Sequence, residues 1–201
     1  MKRVWRKVLF SAVVASTMLA TLPAAAGHAD SLTGHAARAD IVGHQHGLGR
    51  QAARAAVVVR HATRQYHRLF TAEASGYEQF LTCVQEPGQG AMGTHWVHGS
   101  LVADATIDPV TPEALMYETR PNGTLALVGV EYIVFQQLWD AENDQPPQLY
   151  GHDFDLVSAP NRYGIPAFYA LHVWAWKYNP SGTFSDWNPR VTCRHAAGSP
   201  I

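Results

Sequence analysis

The chain has 201 residues and nearly balanced charge, with 15 Lys and Arg against 16 Asp and Glu. That length suffices for one packed domain with a core of its own. The balance hides two opposed parts: residues 27–68 carry six arginines and two aspartates, whereas residues 69–201 carry five basic and 14 acidic groups. The acidic part disfavours nucleic acid as a partner.

Lys2, Arg3, Arg6 and Lys7 precede an uncharged apolar run over 8–22. Pro23 ends the run, and three alanines at 24–26 supply a small-residue cleavage site. Residues 1–26 thus read as a signal peptide; about 15 apolar residues fall short of the roughly 20 of a membrane span. Cleavage leaves a secreted protein with no stable span. Arg outnumbering Lys and abundant Ala suggest a GC-rich bacterial source.

Residues 27–48 are rich in Gly, Ala, His and Asp and read as a disordered leader. Its His28, His35, His44 and His46 form a tract of the kind that can bind metal. The domain proper spans 49–195, with 196–201 as a frayed tail.

Over 51–82 the pattern is helical: alanines at 52, 53, 55 and 56, then Tyr66, Phe70, Tyr77 and Leu81 at one-face spacing. Arg50, Arg54, Arg60, Arg64 and Arg68 fall largely on the other side, and Gly76 can split the helix. Gly88, Gly90 and Gly93 match the G-x-G-x-x-G fingerprint. The expected order, a helix before and a strand from Thr94 after, opposes the strand-then-helix order of a dinucleotide site.

Strands are expected over 114–118, 124–135, 148–154 and 167–178. Asn122-Gly123 is the hairpin turn between the first two. The regions 137–147 and 160–166 are polar or proline-bearing loops. A helix followed by strands predicts an α+β fold, with the N-terminal helix packed on a curved, mostly antiparallel sheet or partial barrel.

Cys83 and Cys193 are the only cysteines. In an oxidising compartment a solitary pair predicts a disulfide clasping the domain; free thiols or a shared metal are the alternatives.

The strand over 125–135 is apolar on both faces and carries one charge, Glu131. A carboxylate buried there needs a partner. An Arg, a tyrosine hydroxyl or backbone groups serve a structural role; a metal or a proton-transfer role serves chemistry. The strand over 167–178 places His172, Trp174 and Trp176 on one face by period two. With Trp96 and Tyr132 these tryptophans form the expected wall of an apolar pocket for a small-molecule ligand. His95, Glu131, His152 and His172 together are the candidate ligand or metal residues, a donor set suited to zinc, iron, manganese or copper. The set is similar to that of cupin barrels, but the spacing differs, because Glu131 lies 36 residues beyond His95. His98 points to the opposite face of a strand from His95. Carboxylates at 140, 142 and 144, or at 153 and 155, are alternative calcium clusters. No G-x-S-x-G or H-E-x-x-H occurs.

Three stretches, GAMGTHWVH at 90–98, LVGVEYIV at 127–134 and LHVWAWKYNPSGTFSDWNPRVTC at 171–193, resemble a family of uncharacterised exported bacterial proteins over roughly 62–193. The resemblance implies one intact domain that contains both cysteines. It more often places Asn where His98 stands, and it implies no activity.

Two functions follow as expectations: a secreted protein binding a small ligand in a Trp-lined pocket, or a metal-dependent enzyme with a His/Glu site. A structural domain without a pocket is the third.

Overall fold

The computed structural model describes the backbone from Ala36 and the side chains from residue 49 to the end. The signal segment and the first part of the leader lie outside the described residues. Helix α1 spans Ala36–Thr63, so the latter part of the expected leader is helical backbone. A 3-10 turn, Arg64–His67, and the short helix α2, Leu69–Ala74, follow. Six strands then build the main sheet and its flank: β1 Glu78–Glu86, β2 Gly90–Val97, β3 Ala114–Thr119, β4 Leu125–Phe135, then β7 Asp155–Val157 and β8 Phe168–Val173. One-turn helices α3, Gly99–Val102, and α4, Gln136–Trp139, sit in the connections, and β5, Gln148–Leu149, pairs with β6, His152–Asp153.

The sheet runs β1-β2-β3-β4-β8-β7, every pair antiparallel. It curls into a half-barrel, and the fold is α+β. Among the described residues no helix is long and apolar enough to cross a membrane.

The expected helix over 51–82 is too long. Gly76, at φ +94, ends α2, and the Tyr77 N–H closes the last turn on the Ala72 carbonyl. Tyr77 and Leu81 fit helical spacing, but the chain beyond Gly76 extends and pairs with β2. The glycine fingerprint therefore follows a strand after all. It still opens no helix, because it turns the chain into β2. At Gly90, φ is +109 and an added Cβ would lie 2.2 Å from the Asn188 carbonyl oxygen, so that crossing admits only glycine.

Each sheet face buries a different layer. Ala55 and Val59 of α1, fully buried, pack with Tyr77, Leu115, Tyr117 and Tyr132 on one face. The tyrosine hydroxyls there donate to backbone carbonyls: Tyr117 to Tyr66, Tyr77 to Pro112, Tyr132 to Pro109. The opposite face carries Met116, Ala114, Ile133 and Ala170, covered by the segment after β8 and by the loop containing Tyr163. The Cys83–Cys193 disulfide fastens that cover to β1 across 110 residues. The expected frayed tail instead runs beside β1: the Gln85 N–H donates to the Ile201 carbonyl, and the Ile201 N–H donates to Cys83.

The strand expected over 167–178 stops at Val173. There the Trp174 N–H bonds the Thr183 carbonyl, and the Trp176 and Lys177 N–H groups bond that of Val128. Alternation beyond Val173 is lost. The strand over 148–154 divides at Tyr150 and Gly151, both at positive φ.

Candidate metal centre

The cross-strand register positions the site. Val97, Ala114, Glu131 and His172 are successive partners across β2, β3, β4 and β8, so their side chains share one face. His95 lies two residues back on β2 and faces the same way. Between His95 and Glu131 stands β3, whose residue in the Glu131 row is Ala114. That small side chain leaves room for an imidazole and a carboxylate to meet above it.

They do meet. His95 Nε2 lies 3.3 Å from Glu131 Oε2, and His172 Nε2 lies 3.6 Å from Glu131 Oε1. One donor atom from each residue falls within 4.8 Å of the others. His95, Glu131 and His172 are 5%, 7% and 2% exposed, so bulk solvent scarcely reaches them. Neither Nε2 has a hydrogen-bond partner among the described residues. The separations also exceed the roughly 2.7–2.9 Å of a charge-assisted N–H···O bond. An ion bonded at about 2.0–2.1 Å needs its ligand atoms about 3.3 Å apart, so the trio, with donors within 4.8 Å of one another, must draw in to close on one.

The other nitrogen of His172, Nδ1, lies 3.1 Å from Asp186 Oδ1. A proton on Nδ1 donated to that carboxylate leaves the Nε2 lone pair facing Glu131. Trp174 stacks beside His172, with centroids 6.4 Å apart and planes at 11°.

Electrostatics makes His95 neutral but draws a second proton toward His172 while no ion is bound, so an ion at Nε2 would have to displace it. Burial pulls His95 down to about 3, and the neighbouring His172 adds to this, so His95 is neutral. Burial raises Glu131, with Asp186 adding and His172 opposing. Burial opposes a charge on His172 too, but Glu131 and Asp186 prevail and raise it. Asp186 is lowered chiefly by its bond to His172.

The remaining expected site residues lie elsewhere. His152 stacks on Phe184 at 3.9 Å, with its Nε2 unpartnered, and is no fourth donor to the trio. Trp96 and Tyr132 belong to the helix-side core. The Trp176 indole N–H donates to Thr63 Oγ1, and its ring meets His67 at 4.1 Å. Only Trp174 stands at the site, so the four aromatics do not line one pocket; the end of β8 at Val173 separates Trp174 from Trp176. His98 packs on Tyr77. The acidic loops do not converge: Asp140 accepts from the Tyr169 hydroxyl and Asp153 from the Gln148 amide. Among the described residues, His95, Glu131 and His172 form the one cluster with metal-binding geometry.

Two carboxylates escaped the sequence reading. Asp186 lies in an irregular loop, where no periodicity marks it; its one signal is being the sole charge between Lys177 and Arg190. Glu113, 1% exposed, precedes β3 and accepts the Ile133 N–H at 3.0 Å.

No family model, curated protein or solved structure matches the chain.

Proposed function

We propose that this is an exported metal-binding protein in which His95, Glu131 and His172 hold one divalent transition ion. The observation that carries this reading is the pair of buried, unpartnered Nε2 atoms flanking a buried carboxylate. Buried polar atoms are ordinarily satisfied, and an ion would satisfy all three groups at once. Two imidazoles and a carboxylate suit zinc, iron, manganese or copper. The disulfide supports export, since such bonds persist in oxidising compartments.

Three protein donors leave a fourth position for an outside donor, the arrangement of catalytic rather than structural zinc. That open position favours a metal-dependent enzyme as the second reading. A small ligand, the expected partner, would attach at that fourth position.

The test is titration of metal-stripped protein with zinc or cobalt. The wild type binds one ion at this site, and Glu131→Gln weakens that ion by more than the roughly 10–100-fold typical of losing an outer partner. The leader histidines are common to both proteins, so the difference between them reports the buried site. Identical isotherms overturn the reading.

A further inference from the structure

Resting on the metal reading above, we infer that Asp186 is a positioning residue: it orients His172 for the ion and makes no bond to the ion itself. Asp186 Oδ1 lies 3.1 Å from His172 Nδ1. The two nitrogens of an imidazole diverge, so a carboxylate on Nδ1 cannot reach an ion on Nε2. What it fixes is the tautomer and the ring angle. An imidazole free to rotate would present its lone pair to Glu131 only part of the time.

The loop around Asp186 is built to hold it still. The Ser185 carbonyl accepts the Trp174 indole N–H at 2.6 Å, and the Trp187 carbonyl accepts the Asn179 amide at 2.9 Å. Both backbone neighbours of Asp186 are thus pinned by side chains, and Asn179 is itself 5% exposed. The Ser185 hydroxyl adds a bond to the Ser181 carbonyl at 2.6 Å. Trp174 also stacks on His172, so one residue braces both the acid's loop and the imidazole.

Solvent contact separates this role from plain stabilisation. The Asp186 side chain is 44% exposed against 2% for His172. Solvent at the Asp186 end screens the pair, so it contributes less to folding than a fully buried pair would. An outer carboxylate on a ligating histidine, by contrast, typically changes metal affinity 10–100-fold. Asp155 supplies the control. It pairs with Ala170 on the same face, near His172, but makes no hydrogen bond to it. Its removal takes away charge without touching the imidazole.

The experiment titrates cobalt(II) into metal-stripped wild type, Asp186→Ala, Asp186→Asn and Asp155→Asn. It follows the visible d–d absorption and the melting temperature of each apoprotein. The expected result for Asp186→Ala is about 10–100-fold weaker binding, displaced bands and an apoprotein melting close to wild type. Asp186→Asn keeps an acceptor without the charge and falls between, which provides the reading if the alanine variant does not fold. Asp155→Asn keeps wild-type bands. If both folded Asp186 variants bind cobalt with wild-type affinity and bands, the role of Asp186 is refuted while the metal site stands. If wild type itself shows no site-specific band, the metal reading fails first.

Discussion

Glu113 gives a prediction whose size follows from its surroundings. It is 1% exposed and accepts one backbone N–H from Ile133. Burial lifts its carboxyl from 4.5 to about 8, with the hydrogen bonds from Ile133 and from its own amide opposing. In the folded chain at pH 7 it is therefore protonated, whereas in the unfolded chain it ionises near 4.5. The folded value is the higher one, so stability is fully present below about pH 4.5. It declines as pH rises and levels off above about 8. Every pH unit across that interval costs about 1.4 kcal/mol, so the whole loss is on the order of 5 kcal/mol. Glu113→Gln cannot ionise and keeps an acceptor for Ile133. Urea denaturation of both metal-stripped proteins from pH 5 to 8 isolates the effect, because Glu131 and His172 contribute alike to each. The stability of Glu113→Gln relative to wild type should rise by about 1.4 kcal/mol per pH unit across that window. Parallel pH profiles would refute the argument.

The disulfide and the glycine crossing give two further predictions. Reduction, or Cys83→Ala with Cys193→Ala, opens a loop of 110 residues and should cost about 4–5 kcal/mol in denaturant unfolding; a loss below about 1 kcal/mol would mean that the unfolded chain is compact without the bridge. Gly90→Ala should cost more than Gly88→Ala in the same assay, because an added Cβ at 90 meets Asn188 at 2.2 Å while none is met at 88. Both glycines lie at positive φ, which costs about 1–2 kcal/mol on its own, so equal losses would mean that the crossing yields.

Some of this was legible in the sequence for physical reasons. β4 is buried on both faces, so its apolar run and its single charge were visible without a fold. Glu131 and His172 each stood alone among apolar neighbours, and the register makes them direct partners. The turn at Asn122-Gly123 was legible because Gly123 takes a positive φ that few other residues adopt. The first strand was not: Tyr77 and Leu81 suit a helix as well as a strand, and only the stop at Gly76 decides. The tryptophan faces failed because alternation holds only while a strand stays paired, and β8 leaves the ladder after Val173. Asp186 was illegible because a loop's path, set here by Trp174, Asn179 and the disulfide, has no period to read.

Anomalous diffraction at the zinc edge, from crystals of zinc-loaded full-length chain, tests the central claim most directly. The account predicts a peak about 2 Å from His95 Nε2, His172 Nε2 and a Glu131 oxygen, with Asp186 bonded to the far nitrogen of His172. No peak between those three side chains, with zinc bound elsewhere on the chain, would contradict it.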